Sequence, residues 1–301
     1  MTEVQKPSSL TLSVVVTSYE TRPSLVRCLE ALTRQKEPLE ILVSDCSPVD
    51  PAIELAQRFP TVRFLHFPVM RTVPELRWAA VREASGDLVA AMESRCVPSE
   101  TWCAELMATH LAHPDVPACG GPVSLLPGGS LRDWGIYLCE YGAFAPPVPQ
   151  GPSAQLSGAN LCYRRLALLE CGDLMDAGVW EALMHERWLG QGRQLWLCGA
   201  SIAFENTMAL ADTFRQRFHY AWSFASDRMS GQPRGRAILR AATAPLIPLV
   251  LIARLLQAAR QKGLVGKVVR AFGWIVIFQT IWAAGECAGY LLGAPREGHN
   301  Y

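Results

Sequence analysis

The chain of 301 residues carries 28 basic and 27 acidic side chains, a formal net charge of +1. That balance excludes bulk electrostatic attraction to nucleic acid, and a composition that is 50% hydrophobic excludes a disordered chain and suffices for one large or two ordinary domains. Ten cysteines without a CxxC pair or framework spacing argue against a disulfide scaffold and against a zinc site written into the spacing. The polar segment 1–10 has no apolar signal core. The cysteines are therefore expected to be reduced and to behave as small hydrophobes in a cytoplasmic domain.

Residues 10–16, LTLSVVV, form a β-branched run that stops at Thr17-Ser18-Tyr19-Glu20. A helix follows, with Pro23 in its first turn and Leu25, Leu29 and Leu32 at helical spacing. LEILVS, at 39–44, is a second strand ending at Asp45; 51–58 reads as helix, 62–67 as a third strand and 74–84 as another helix. The run 87–92 is a fourth strand, halted by Glu93-Ser94-Arg95. Strands alternating with helices specify an α/β fold, a mostly parallel Rossmann-like sheet with helices on both faces.

In such open sheets ligands bind at the carboxyl edge. Glu20, Asp45, Glu93 and Arg95 all fall just beyond strand ends, more acids than a solvated loop needs. Two plainer readings stand beside this one. Glu93 and Arg95 suit a surface ion pair, and Asp-Cys-Ser-Pro at 45–48 suits a turn.

Beyond residue 120 the pattern loosens into Gly- and Pro-rich connections, including AFAPPVPQGPS at 143–153, of the kind that shape substrate sites. Trp134, Tyr137, Tyr141 and Phe144 lie beside these loops, and core filling is favoured over stacking on a ligand. SGANLCYRR (157–165) leads into a helix, VWEALMHERWLGQG (179–192) is a second helix, and LWLCGASIAF (195–204) reads as a strand or two short ones. In the second helix Glu181 and His185 share a face. His185 is either a partner that tunes the carboxylate or a surface histidine.

The tail is the most apolar part of the chain, at 237–258 and 271–294. Each stretch approaches the length that spans a bilayer. Basic residues flank the first on both sides: Arg234, Arg236 and Arg240 before it, and Arg254, Arg260, Lys262, Lys267 and Arg270 after it. A spanning hairpin would carry one cluster across the membrane against the positive-inside tendency. A pair of interfacial helices sets both clusters against anionic headgroups. Surface attachment is thus the favoured reading, ahead of spanning and ahead of a buried pair that completes the core or forms a homo-oligomer face.

The ordered set SVVVTSYETRPSLVRCLEAL, EILVSDCSPVD, RWAAVREASGDLVAAMES, GANLCYRR and VWE resembles the family-two glycosyltransferases, which use nucleotide sugars and have the GT-A fold. The resemblance covers roughly residues 10–230, making 10–230 the expected catalytic domain and 234–295 a membrane-association region. It implies that Asp45 contacts the base and that Thr17, Tyr19 and Glu20 line the nucleoside pocket. It also implies that Arg77 lies near the diphosphate, with Trp78 where the family commonly has Asn. Glu181 falls at the general base, which would deprotonate an acceptor hydroxyl and invert the anomeric carbon.

The family's metal-binding Asp-x-Asp is matched here by Glu93-Ser94-Arg95, and Glu205 stands where a histidine often follows the late strand. A hard cation wants oxygen donors, which a guanidinium is not. Arg95 can instead fork onto phosphate oxygens, with Arg77 assisting, and Glu93 can keep a ribose or metal-water contact. Glu93 and Glu205 are then the only candidate ligands for Mg²⁺ or Mn²⁺, and a metal-free site is equally open. An Arg95–Glu205 salt bridge in place of a lost metal site would instead leave an inactive, scaffold-type relative. Many members of the family act on lipid-linked or envelope acceptors. The implied setting is therefore the cytoplasmic face of the cell membrane, with a nucleotide-sugar donor, a glycan or lipid-linked acceptor and no nucleic acid partner.

Overall fold

The computed structural model describes residues 10–19 and 22–293, and Glu20 lies outside them. The chain groups into two compact units, one of residues up to Pro122 with Pro149–Ile202, the other of Val123–Val148 with everything from Ala203 onward. This division differs from the sequence expectation in assigning 123–148 and 203–230 to the same unit as the apolar tail.

The first unit is built on β1 (Leu12–Ser18), α1 (Arg22–Leu32), β2 (Leu39–Asp45), the short α2 (Ala52–Leu55), β3 (Val62–His66), α3 (Val73–Glu83) and β4 (Leu88–Glu93). All seven residues of β1 are buried, because helices cover both faces of the strand and its β-branched run has no solvent side. Each fully buried valine contributes about 1.5–3 kcal/mol at most. Leu25, Cys28, Leu29 and Leu32 form the buried stripe of α1, as their spacing predicts. Helix α2 is shorter than the expected 51–58. Helix α3 starts at a capping box between Thr72 and Glu75, with Pro74 in its first turn.

After β4 come β5 (Cys96–Pro98), α4 (Trp102–Ala112) and β6 (Ala118–Gly120). The second unit then opens with β7 (Val123–Leu125) and α5 (Leu131–Tyr141). The chain returns to the first unit through β8 (Gly151–Ser153), β9 (Asn160–Arg164), α6 (Arg165–Leu169), α7 (Gly172–Asp176), α8 (Glu181–Gly190) and β10 (Leu195–Leu197). The sheet runs β3-β2-β1-β4-β9-β6-β10-β8. Neighbours among the first four strands are parallel, β9 lies antiparallel between β4 and β6, and β8 is antiparallel to β10. Val15, Trp78, Val89, Leu161, Tyr163 and Trp188 are among the side chains of its core.

The remaining elements are β11 (Ile202–Phe204), α9 (Leu210–Met229), α10 (Arg234–Thr243), α11 (Ile247–Gln261), α12 (Val265–Arg270) and α13 (Phe272–Leu292). In the second unit α9 lies along α13. Gly285 faces Phe218 and Ala221, and Gly289 faces Trp222 and Ala225, so the backbones meet through a small-residue seam. Arg217, 4% exposed, donates from Nε to the Phe278 carbonyl (2.7 Å) and from Nη2 to Gln279 Oε1 (3.1 Å). Tyr137 and Tyr141 are buried, in keeping with core filling, while Trp134 and Phe144 are half-buried.

The segments Arg234–Gln261 and Phe272–Leu292 are both long and apolar enough to cross a membrane. They differ in setting, since 17% of the apolar window is buried in the first and 44% in the second. Helix α13 therefore also serves as the spine of its unit. Ile238, Leu239, Leu249, Phe272 and Leu292 are exposed along these helices.

Candidate active site

Sheet register brings the sequence-predicted strand-end residues into one row. Thr17 stands opposite Glu93, Ser18 opposite Asp45, and Asp45 opposite His66. The backbone continues the row past the strands, where the Ser94 N–H donates to the Thr17 carbonyl (2.9 Å) and the Phe67 N–H to the Asp45 carbonyl (2.8 Å). Parallel strands put all their carboxyl ends on one side, so residues 76 positions apart, Thr17 and Glu93, become neighbours.

Asp45 is fully buried. Its Oδ1 accepts from the Ser47 N–H and its Oδ2 from the Ser47 hydroxyl, both at 2.8 Å, and His66 Nδ1 lies 3.5 Å from Oδ1. The turn suggested by Asp-Cys-Ser-Pro is thus formed, as an Asx-turn that fixes the carboxylate. Each oxygen of a carboxylate has a second lone pair, so turn formation and recognition of a base are compatible. Thr17 is 2% exposed, with its hydroxyl 3.4 Å from the Met92 carbonyl.

At the end of β4, Arg95 Nη2 donates to Glu93 Oε2 at 2.9 Å. The pair of the sequence reading does form, but its side chains are 8% and 16% exposed, so it is not the surface pair considered there. Ser94 and Arg95 form the turn between β4 and β5, and this turn brings the guanidinium back onto the carboxylate at the strand end. Glu205 belongs to the second unit, where it follows β11 and lines a small cavity with Leu125, Gly128, Asp133 and Asn206.

The most tightly built part of the site lies at α3 and the start of α8. Arg77 is 1% exposed, donating from Nη1 to Glu181 Oε2 (2.6 Å) and from Nη2 to the Gly158 carbonyl (2.9 Å). Burial alone would lower the pKa of this guanidinium, but the Glu181 carboxylate raises it further, with smaller contributions from Tyr163, Glu93 and Tyr19. Arg77 thus feels both predicted acids, Glu181 and Glu93. The arginine read as assisting at a diphosphate commits two of its nitrogens to the candidate base and its neighbouring loop.

Glu181 opens α8, where a carboxylate is favoured by the helix dipole. A Cβ on Gly158 would run into Glu181 Oε1, so only glycine leaves room for the carboxylate in this position. Trp78, fully buried, donates from its indole N–H to the Val179 carbonyl at 2.8 Å and ties α3 to the segment before α8. Behind them, Tyr163 Oη and His185 Nε2 are 3.4 Å apart. His185 is 5% exposed, so the surface-histidine reading is corrected: α8 turns the shared face of Glu181 and His185 inward. Burial pulls its pKa down to about 4; Glu181 opposes this shift and Arg77 adds to it. Sequence reasoning read the turn that contains Ser47 but did not single out His66, Gly158 or Tyr163, for which no local signal exists.

Residues 13–137 match the glycosyl transferase family 2 model. Among solved structures, the mannosyltransferase PcManGT from Pyrobaculum calidifontis, in complex with GDP-Man and Mn²⁺, is similar at 17% identity and a TM-score of 0.57. That alignment covers 92% of this chain and 86% of that one. GalNAc-T7 with UDP, GalNAc and Mn²⁺ aligns at 14% identity and a TM-score of 0.53, over 76% of this chain and 52% of that one, so this chain spans about half its length. A search of curated proteins finds no match.

Proposed function

We propose that this chain is a glycosyltransferase of the family 2 type with a GT-A fold, and that it transfers a sugar from a nucleotide-diphosphate-sugar with inversion. The observation that carries this reading is the Glu181 carboxylate, held by Arg77 over Gly158, in the unit whose sheet edge also presents Asp45 and Glu93. Glu181 takes the proton from an acceptor hydroxyl as that oxygen bonds to the anomeric carbon. The bond from that carbon to the phosphate oxygen breaks, and the nucleoside diphosphate leaves with the electron pair. Asp45 and Thr17, with Tyr19, make up the nucleoside end of the site. Arg77 is a positioning residue, acting through Glu181.

The neighbouring solved enzymes hold Mn²⁺. The donor set here does not suit that ion, because Glu93 pairs with Arg95 and a guanidinium cannot ligate a cation. We assign diphosphate neutralisation to Arg95, oriented by Glu93, and take Mg²⁺ and Mn²⁺ to be dispensable. The test is calorimetry of nucleoside diphosphate binding in EDTA and in Mn²⁺. Binding that survives EDTA and fails in Arg95→Ala supports the assignment, whereas metal-dependent binding indifferent to Arg95 overturns it.

The acceptor is an envelope, lipid-linked or polysaccharide hydroxyl presented at a membrane surface. Exposed apolar residues of α10 to α13, interleaved with Arg234, Arg236, Arg240, Arg254, Lys267 and Arg270, support this placement at the cytoplasmic face. Co-sedimentation with anionic vesicles, lost in neutral ones, is the expected result. The closed Glu93–Arg95 pair also favours a second reading, a sugar-nucleotide-binding scaffold subunit without turnover. Glu181→Gln separates the two, since only an enzyme loses product formation while retaining nucleotide binding.

A further inference from the structure

Inside the first unit, four side chains converge from four places in the chain. His110 comes from α4, Cys119 from β6 and Cys162 from β9, and Cys198 directly follows β10. The first three are 0% exposed and Cys198 is 3% exposed. Cys119 and Cys162 are direct cross-strand partners, an arrangement that puts two side chains on one face of the sheet. A ring nitrogen of His110 and the sulfurs of Cys119 and Cys162 all lie within 4.8 Å of one another. The Cys198 thiol hydrogen-bonds with that of Cys119 and also donates to the Gly120 carbonyl at 3.3 Å.

Packing accounts for three buried thiols, which behave as small hydrophobes. It does not account for the imidazole. His110 Nε2 lies 3.2 Å from the Cys162 carbonyl, a contact that requires the proton on Nε2. Nδ1 is then left with a lone pair, and this buried atom has no hydrogen-bond partner. Buried polar atoms without partners are rare and call for an explanation. A histidine that donates one N–H to a backbone carbonyl and keeps the other nitrogen as a base is the usual arrangement of a metal-ligating imidazole.

We propose that His110, Cys119, Cys162 and Cys198 form a structural Zn²⁺ site in the sheet, separate from the carboxyl-edge site. Three cysteines and one histidine are an established donor set for closed tetrahedral zinc. Ligand bonds of about 2.0–2.3 Å need the donors to close in by on the order of 1 Å, with Cys198 turning from the Gly120 carbonyl to become the fourth ligand. Each thiol gives its proton to solvent as its sulfur takes the cation. Three thiolates around Zn²⁺ leave one net negative charge. Arg164, which donates from Nη2 to the His110 carbonyl and acts electrostatically on Cys119, sits where it offsets that charge. Cys162 pairs with Ala90 in the middle of β4, away from Glu93 at its end, so the ion would brace the sheet and take no part in transfer.

The test uses the full chain, purified under reducing conditions without chelator or added metal. Elemental analysis is expected to find about one zinc per chain. Exchange with Co²⁺ should give tetrahedral d–d bands and thiolate-to-cobalt charge transfer, which an oxygen-only site near Glu93 cannot produce. Cys119→Ser and His110→Ala should each lose the spectrum, and Cys28→Ser, a buried cysteine of α1 outside the cluster, should keep it. The wild-type spectrum decides the matter even where a variant fails to fold. Wild-type protein without stoichiometric zinc and without cobalt charge transfer would overturn the site, as would a native Cys119–Cys162 disulfide found by mass spectrometry.

Discussion

Arg77 Nη1 donates to Glu181 Oε2 at 2.6 Å, joining residues 104 positions apart in a pair whose arginine is 1% exposed. Removing one partner of such a pair leaves an uncompensated charge in the interior. Arg77→Met should therefore lower stability by about 3–5 kcal/mol, measured by urea denaturation. In the double variant Arg77→Met/Glu181→Leu part of that loss should return.

Glu181→Gln keeps shape and removes the proposed base. Turnover should fall by about 10²–10⁴-fold with nucleoside diphosphate affinity unchanged by calorimetry. A fall in affinity that matches the fall in turnover would place Glu181 in binding instead.

Gly158→Ala tests the geometry of the same carboxylate from the opposite side. The added methyl would meet Glu181 Oε1, so the glutamate must swing away or the loop must move. Product formation should drop by at least tenfold, with a smaller stability loss than for Arg77→Met. Wild-type turnover in this variant would show that the observed position of Glu181 is not the working one.

His185 gives a pH dependence of stability. Its pKa is about 4 in the folded protein against 6.5 for an unperturbed histidine, mainly through burial. The unfolded chain binds the extra proton across that window, so stability is complete above pH 6.5 and falls as pH drops toward 4. The full effect is at most about 3 kcal/mol. Denaturation midpoints from pH 7 to 4 should show this limb, and His185→Gln should flatten it.

In the second unit, a Cβ at Gly285 or Gly289 would collide with backbone carbonyls of α9, those of Phe218 and Trp222. Gly289→Leu should destabilise the α9–α13 pair by more than the roughly 1 kcal/mol by which a helix-interior glycine itself weakens a helix. A lowered thermal midpoint would show it, and a neutral result would mean that the helices can separate.

Much of the first unit was legible in the sequence. The valines of β1, the leucines of α1 and the polar stops after β2 and β4 are local signals, since periodicity and burial are set by neighbours in the chain. They gave the alternation of strands and helices, and with it the edge where Thr17, Asp45, Glu93 and Arg95 gather. The order of motifs also pointed to Glu181. The sequence determined which residue types stand at those strand ends, because strand direction alone carries them to one edge.

The tertiary structure decided what those residues touch. Arg77 meets Glu181 because α3 lies beside the start of α8, a juxtaposition with no trace in local pattern. The spacings among His110, Cys119, Cys162 and Cys198 match no short motif, and only strand pairing and the placement of α4 bring them together. Likewise, Gly285 and Gly289 read as neutral members of an apolar helix until α9 lies along them. Contacts between distant segments depend on how elements dock, and docking is settled by the summed shape of the core rather than by any stretch of residues.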